Sequence, residues 1–302
     1  MDAPVRVGLV GAGPWARIFT APLLARGPHC TLSAVWARRR DLAGKLAARH
    51  GAVAVDAFDD LLTSCEAIAF AVPPDVQADL AARAARAGLA VLLDKPIGLD
   101  LAQAEELADV VATSGVMSQL VLTNRYRPTM RAFLDDVAGF GPTSGRATFL
   151  GGGALPGGAF ATPWRQEQGG LLDLGPHVLD ALEATLGPIG EVAAVGDPLG
   201  IVGITCTHGG GAFSQAVMSI TTPVEPSGLV VELVGPHGRI TLDTAAGDVA
   251  DGHRDLGAAM ATVAAEFAAS VRTGVPHPLD VRHGLHLQRL IDEATEQLAA
   301  AG

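Results

Sequence analysis

The chain has 302 residues, 49% of them hydrophobic and 18% charged, and a formal net charge of −11. That length is comfortable for two domains, and that composition excludes a disordered chain. With no basic block or aromatic-basic stripe, the acidic balance argues against nucleic acid as a partner. No apolar run approaches the ~20 residues of a membrane span.

Taken in order, the sequence opens on an apolar strand, Val5–Val10, that runs into Gly11-Ala12-Gly13-Pro14-Trp15-Ala16 and a helical pattern, Trp15–Arg26. This G-x-G-x-x-A turn suits a dinucleotide pyrophosphate: Gly11 allows the tight turn, Gly13 lets backbone approach phosphate, and Ala16 keeps helix close to strand. No charged-then-apolar leader pattern precedes the strand. Further strands are expected at Leu32–Trp36, Val53–Val55, Ala67–Val72, Val91–Asp94 and Leu120–Thr123. Helical stretches alternate with them at Asp41–His50, Val76–Ala87 and Leu101–Ser114, the last with Asp100 as N-cap and Gly115 as its end. The alternation predicts an α/β fold, a doubly wound Rossmann domain over residues 1–123 that binds its ligand at the carboxyl ends of the strands.

The rhythm then changes. Arg127–Ala138 reads as a helix and Gly151–Pro163 as a loop. Strands at Ile201–Cys206 and Ala212–Ile220 flank His208-Gly209-Gly210-Gly211, and strands at Leu229–Val234 and Ile240–Leu242 flank Gly235-Pro236-His237-Gly238. Turn residues between short β runs mark hairpins. With closing helices at Leu256–Arg272 and Val281–Ala300, residues 124–302 are expected to form an α+β domain on a largely antiparallel open sheet. One face of that sheet would carry helices, and the other would be open to a second subunit.

Four segments carry candidate chemistry. Where an acid would hold the adenosine ribose after the second strand, Ala37-Arg38-Arg39-Arg40 follows Trp36. Guanidinium groups without the acid favour the 2′-phosphate of NADP over NAD, although the run also reads as a solvated stretch before a helix capped by Asp41. Ala71-Val72-Pro73-Pro74 and Asp94-Lys95-Pro96 both lie at carboxyl strand ends, and Lys95 projects there. In Gly169–Asp180, Pro176 is expected to open a helix ending at Leu186. His177 would then sit in a first turn, where the helix dipole keeps imidazole neutral as a general base requires. Asp173 lies four residues earlier, while Asp180 reads as a solvated residue. Taken singly, a strand-end lysine or a histidine beside an aspartate is more often structural.

The remaining histidines and cysteines read as bystanders. His277, His283 and His286 cluster near the C-terminus without an acidic or cysteine partner, so no metal site is expected. His208 and His237 are expected to be exposed in their turns. Cys30, Cys65 and Cys206 form no C-x-x-C pair and read as reduced thiols of a cytoplasmic protein.

Together, GAGPWA (Gly11–Ala16), AVPPD (Ala71–Asp75), LLDKP (Leu92–Pro96), NRYRP (Asn124–Pro128), Trp164-Arg165 and GGLLDLGPH (Gly169–His177) resemble the Gfo/Idh/MocA oxidoreductases. The resemblance covers nearly the whole chain. It implies transfer of a hydride between NAD or NADP and a secondary hydroxyl or ketone of a sugar, cyclitol or related small molecule. It also implies a homo-oligomer, dimer or tetramer, built through the C-terminal sheet. The family's catalytic set falls on Lys95, Asp173 and His177, which would also touch substrate. Asp94, Lys95, Asn124 and Arg165 fall at cofactor positions, and Tyr126 and Trp164 on the substrate side. The sequence departs from the pattern in Asp94 for the usual glutamate, in Gln77 for a common histidine, and in loops poor in sugar-recognising polar groups. The alternative is a cofactor-binding sensor or regulator that has lost catalysis, against which the intact Lys95, Asp173 and His177 argue.

Overall fold

A computed structural model describes residues 3–158, 160–246 and 254–301. Two compact units emerge: Met1–Leu122 with Met260–His286, and Thr123–Ala259 with Leu287–Gly302.

In the first unit β1 (Val5–Val10), β2 (Cys30–Trp36), β3 (Val53–Ala54), β4 (Ala67–Phe70), β5 (Ala90–Asp94) and β6 (Ser118–Val121) form one parallel sheet. Their order is β3-β2-β1-β4-β5-β6. The central strands are buried almost throughout, with Val7, Leu9, Ile68 and Leu93 at 0% exposure, because helices cover both faces. Helix α1 (residues 14–25) continues directly from the glycine turn and carries a π-helical stretch, Ala16–Thr20. Helix α2 (Arg40–His50) starts one residue earlier than expected, and Arg39, not Asp41, holds the cap position. Asp41 sits in the first turn, where its charge still suits the helix dipole.

Helix α3 (Phe58–Ser64) is an element the sequence patterns do not signal. Its leading Ala57 has no capping oxygen, and Asp60 Oδ2 instead accepts from the Ala57 N–H at 3.0 Å. Helices α4 (Pro74–Arg86) and α5 (Leu101–Ser114) pack together. In α5 Asp100 Oδ1 accepts from the Gln103 N–H at 2.8 Å, and Gly115 closes the helix at φ 66°.

Residues 260–286 also group with this unit, whereas the sequence reading places all of 124–302 in the second domain. Hydrogen bonds from several elements fasten them. The Leu120 N–H donates to Leu279 O at 2.7 Å, Gln119 Nε2 donates to Val263 O at 3.3 Å, and Arg272 Nη1 reaches Glu66 Oε1 at 2.7 Å.

The second unit is a six-stranded sheet of β7 (Ser144–Leu150), β8 (Ile189–Gly196), β9 (Val202–His208), β10 (Phe213–Ser219), β11 (Gly228–Gly235) and β12 (Gly238–Asp243). The order is β12-β11-β7-β10-β9-β8; β7 and β10 run parallel and every other pair antiparallel. Helix α6 (Pro128–Phe140) precedes β7, and helix α7 (Pro163–Leu186) lies on β7, β9, β10 and β11. Val202, Ile204, Cys206, Ala216, Met218, Val231 and Leu233 are buried, alternating with more exposed neighbours as a sheet covered on one face requires. Helices α8 (Arg254–Thr273) and α9 (Val281–Ala301) close the chain. A buried ion pair joins the starts of α6 and α8: Arg127 Nη1 lies 3.2 Å from Asp255 Oδ2, which also accepts from Thr129 Oγ1 at 2.9 Å. No described helix is long and apolar enough to cross a membrane.

The Arg272 guanidinium, the Arg6 backbone N–H and the Arg6 side chain carry the Glu66 carboxyl down from 4.5 to about 2. A depressed carboxylate contributes stability that is complete above its ordinary value and is lost as pH falls toward the depressed one. Urea unfolding of the native chain is therefore expected to weaken between about pH 5 and pH 2. Glu66→Gln will flatten that stretch of the profile, and an unchanged slope would count against the assignment.

Candidate functional site

In the first unit the strand-to-helix turn is shaped by two glycines for different reasons. Gly11 has φ 117°, and a Cβ there would collide with Ala71 O, so the loop after β4 admits no side chain. At Gly13 a Cβ would meet nothing within 4 Å, so an open place is left directly ahead of α1. Around this turn lies a cavity of about 500 Å³ lined by Gly11, Ala12, Gly13, Trp36, Ala37, Arg38, Arg39, Leu42, Ala71, Val72, Pro73 and Val76. The turn, the end of the second strand and the β4 loop, which the sequence reading assigns to the cofactor, thus line one space. A helix N-terminus and an open glycine backbone beside this cavity fit a dinucleotide with its pyrophosphate at the turn. Of the three consecutive arginines, Arg40 is engaged by Asp56 at 3.0 Å, whereas Arg38 and Arg39 line the cavity. Trp15 stacks flat on Phe19 at 4.6 Å between ring centres, which fixes the indole on α1 beside the turn.

Lys95 comes directly after β5 and is half-buried. The residue that holds its backbone is Gln77, read from the sequence only as a departure from a common histidine. Gln77 is 1% exposed, and both ends of its amide are engaged. Oε1 accepts from the Asp94 N–H at 2.8 Å, and Nε2 donates to Asp94 O at 2.8 Å and Pro96 O at 3.2 Å. Asp94 Oδ1 accepts from the Lys95 N–H at 2.9 Å. The signal is available in the sequence: Gln77 stands four residues after Pro73, on the first turn of a helix that begins at the strand edge.

In the second unit the helix carrying Asp173 and His177 does not start at Pro176. Pro176 lies inside α7, and the break comes at Gly169 (φ 74°, ψ −167°). His177 is thus two turns past the break, so the helix-dipole argument for a neutral ring does not apply, since that field fades within the first turn. A Cβ at Gly169 would collide with Pro198 O, so only glycine fits.

Asp173, His177 and Asp180 stand at i, i+4 and i+7, one face of the helix, and are 7%, 8% and 1% exposed. Asp180, expected in solvent, is instead paired with Arg125 Nη1 at 2.7 Å. Asp173 Oδ2 accepts from Arg165 Nε at 2.9 Å. That guanidinium lies over the Trp164 ring at 4.3 Å and the Phe160 ring at 5.5 Å, and its Nη1 donates to Thr162 Oγ1 at 3.3 Å. The Phe149 ring stands 6.0 Å from that of His177. Sequence reasoning misses Phe149, Phe160 and both ion pairs, because none is dictated by spacing along one element.

Other expected residues fall elsewhere. Asn124 is buried at 7% in a short helical turn, Thr123–Tyr126. Tyr126 is at 0% exposure with Arg131 6.0 Å above its ring, so it offers no surface to a substrate. His208 is buried, not exposed: its Nδ1 is 2.7 Å from Gly187 O and its Nε2 is 2.8 Å from Ser214 Oγ. His237 is exposed in its turn. His277 does have an acidic partner, with Nε2 3.1 Å from Glu266 Oε2. Among the described residues no group of three or more His, Cys, Asp or Glu side chains gathers as a metal site. Burial pushes the Cys30 thiol up to about 12 and that of Cys206 to about 11, which leaves little thiolate for chemistry at neutral pH.

Residues 5–121 match the model of the Gfo/Idh/MocA family, described as "Oxidoreductase family, NAD-binding Rossmann fold". The match covers the nucleotide-binding part of the chain alone. The chain is 33% identical over 116 residues to a dTDP-3,4-didehydro-2,6-dideoxy-alpha-D-glucose 3-reductase of Actinomadura kijaniata, an alignment covering 38% of this chain and 35% of the reductase. The chain thus spans about a third of that relative's length. The fold as a whole matches GenD2 from gentamicin A biosynthesis, solved in complex with NAD, at TM-score 0.87 and 23% identity over 100% of this chain and 96% of that one. It also matches a myo-inositol dehydrogenase from Corynebacterium glutamicum at TM-score 0.83 and 22% identity, over 99% and 97% of the two chains.

The constraint at Gly169 gives a direct expectation. Gly169→Ala imposes a backbone conformation open essentially to glycine alone and a collision with Pro198 O, so urea unfolding should report a loss of at least about 2 kcal/mol. A variant as stable as the native chain would contradict this account of the break.

Proposed function

We propose that the protein is an NADP-dependent oxidoreductase acting on a secondary hydroxyl, or its ketone, of a sugar, cyclitol or related small molecule. The observation that carries the reading is the helical face of α7. Two ionisable side chains, Asp173 and His177, are buried one turn apart there, and Arg165 neutralises the carboxylate. Desolvating ionisable groups is costly, and such groups concentrate at functional sites. The family match of residues 5–121 supports the cofactor class, and the names of the relatives support a sugar or cyclitol substrate.

The residues we assign to the cofactor are Gly11–Ala16, Ala37, Arg38, Arg39, Ala71–Pro73, Asp94, Lys95 and Asn124. NADP is favoured over NAD because Trp36-Ala37 puts no carboxylate at the end of β2 and because Arg38 and Arg39 line the cavity there. When bound, the nicotinamide supplies hydride transfer. In oxidation His177 takes the hydroxyl proton, the Lys95 ammonium steadies the negative charge that develops on oxygen, and Asp173 orients substrate and imidazole. Trp164 is assigned to the substrate side, where an indole face suits the apolar face of a ring.

A homo-oligomer is the expected assembly, and the protein is expected to act in the cytoplasm. One face of the second sheet carries α7; the other leaves Phe213, Val217 and Val234 at 53%, 39% and 43% exposure around Glu232, which is held by Arg146 at 2.9 Å and Arg239 at 3.3 Å. A second copy of this face would cover those side chains.

A panel of NADP+ or NADPH with myo-inositol, scyllo-inositol, levoglucosan, UDP-N-acetylglucosamine and simple keto sugars tests the reading by absorbance at the nicotinamide band. Lys95→Ala and His177→Asn should each lower turnover about a hundredfold or more while NADPH binding stays within about threefold. Undiminished turnover in either variant would remove that residue from the mechanism. Arg38→Ala should weaken NADP+ by about tenfold or more and leave NAD+ unchanged; equal losses for both would refute the 2′-phosphate assignment.

A further inference from the structure

Of the 21 basic residues in the chain, only Lys45 and Lys95 are lysines. Arginine is thus the ordinary cation of this molecule, and the ammonium at the end of β5 departs from it. Lys45 is exposed on α2, whereas Lys95 is half-buried and is followed by Pro96 and Ile97, both buried. An ammonium on a flexible four-carbon stem keeps a direction only if the backbone that carries it is held.

Sheet pairing alone does not hold that backbone. Strand β6 accompanies β5 to Asp94, but on the other side pairing with β4 ends at Leu92, and Pro96 brings no N–H to the peptide that follows Lys95. One side chain makes up the difference. Gln77 accepts from the Asp94 N–H at 2.8 Å and donates to Asp94 O at 2.8 Å, so its amide pairs with Asp94 as a neighbouring strand would. The same amide nitrogen donates to Pro96 O at 3.2 Å, on the far side of Lys95. The Lys95 N–H goes to Asp94 Oδ1 at 2.9 Å. The peptide that joins Asp94 to Lys95 is therefore bonded at its oxygen and at its nitrogen, and the carbonyl beyond Lys95 is bonded as well. Gln77 is itself fixed: its own N–H donates to Pro73 O at 2.9 Å in the first turn of α4.

We propose that Gln77 is a positioning residue that acts through Lys95. Its amide fixes the backbone on both sides of Lys95 and thereby the direction in which the ammonium leaves the strand end. The inference rests on the proposed function, in which Lys95 steadies charge on the substrate oxygen. An ammonium whose support is removed keeps its charge and loses its aim. Loss of Gln77 therefore costs chemistry, spares binding, and costs nothing further once Lys95 is gone.

The test compares the full-length native chain with Gln77→Met, which keeps the bulk and removes the amide, with Lys95→Ala and with the double variant. The first readout needs neither substrate nor cofactor. Trace acetic anhydride followed by peptide mass spectrometry gives the acetylation rate of Lys95 relative to Lys45, the reference amine in the same chain. Gln77→Met should raise that ratio about threefold or more, because the strand end opens locally. An unchanged ratio would overturn the proposal. The second readout is oxidation, with NADP+, of whichever of myo-inositol, scyllo-inositol and levoglucosan the native chain turns over fastest. In Gln77→Met kcat should fall about tenfold or more, with KM within about threefold and NADPH affinity, read by nucleotide fluorescence, within about twofold. The double variant should be no slower than Lys95→Ala alone. Losses that multiply in the double variant, or a loss confined to KM or to NADPH affinity, would also overturn it. Should Gln77→Met fail to fold, Gln77→Asn keeps the amide but withdraws it by one methylene. It should show the same raised ratio and lowered kcat, and native values of both would count equally against the proposal. The two readouts separate the underlying reading. Full kcat in Lys95→Ala, or no oxidation of any of the three compounds, fails the proposed function and takes the catalytic role of Gln77 with it, while the acetylation ratio still decides whether Gln77 aims the amine.

Discussion

The second unit is organised by a contact between backbones. The carbonyl of Pro198 occupies the place where any side chain at residue 169 would begin, and α7 bends at that point because only glycine is admitted. The β8–β9 turn that delivers this carbonyl is built under the same rule. Gly196 has φ 119°, with Ile201 O standing where its Cβ would be, and the Asp197 N–H donates to Ile201 O at 3.0 Å. Hairpin tip and helix bend are thus shaped to each other, and neither tolerates a Cβ at the junction. Beyond the bend, the helix carries three acid or base groups on its buried face. Ahead of it, the short leading segment supplies Arg165.

The same economy recurs at the carboxyl edge of the parallel sheet. Gly11 gives way to the carbonyl of Ala71, so the β1 and β4 loops meet backbone to backbone without intervening side chains. Nearby, one buried amide, Gln77, answers the backbone groups of Asp94 and Pro96 from both sides of Lys95. A carboxamide does this well because it donates and accepts at once, which an imidazole can do only with one ring nitrogen for each role. Gln77 therefore holds this strand end with a single side chain.

Much of the fold is legible in the amino-acid sequence, and the parts that are not share a cause. Helix α5 is readable to the residue because Asp100 and Gly115 mark its ends by local chemistry. The two hairpins are readable because His208–Gly211 and Gly235–Gly238 are turns whatever surrounds them. Strand β7 is not, since Ser144, Gly145 and Arg146 have little strand preference and the neighbours on either side, β10 and β11, impose the conformation. Helix α3 escapes notice because its leading residue is an alanine. The start of the His177 helix is misplaced because proline is favoured at N1 and costly inside a helix, yet Pro176 lies within α7. Asp180 and His208 look like surface groups for the same reason: their partners, Arg125 and Ser214, come from other elements. Identities of the candidate site residues can be read from the chain; which of them hold one another cannot.

The single parallel pairing in the second sheet has a consequence for how the chain reaches its native state. Strand β7 lies at the centre, between β10 and β11, yet it emerges long before either. Its hydrogen-bonding edges stay unsatisfied while α7, β8 and β9 are made, and the first pairing forms only when Phe213 and its successors arrive. Closing so large a loop costs entropy before any ladder contact repays it, so pairing at the centre of this sheet is expected to be slow. Strands β8 and β9 can zip as a local hairpin in the meantime. Assembly of the centre then brings α7, with its break and its buried charges, onto a sheet already half formed.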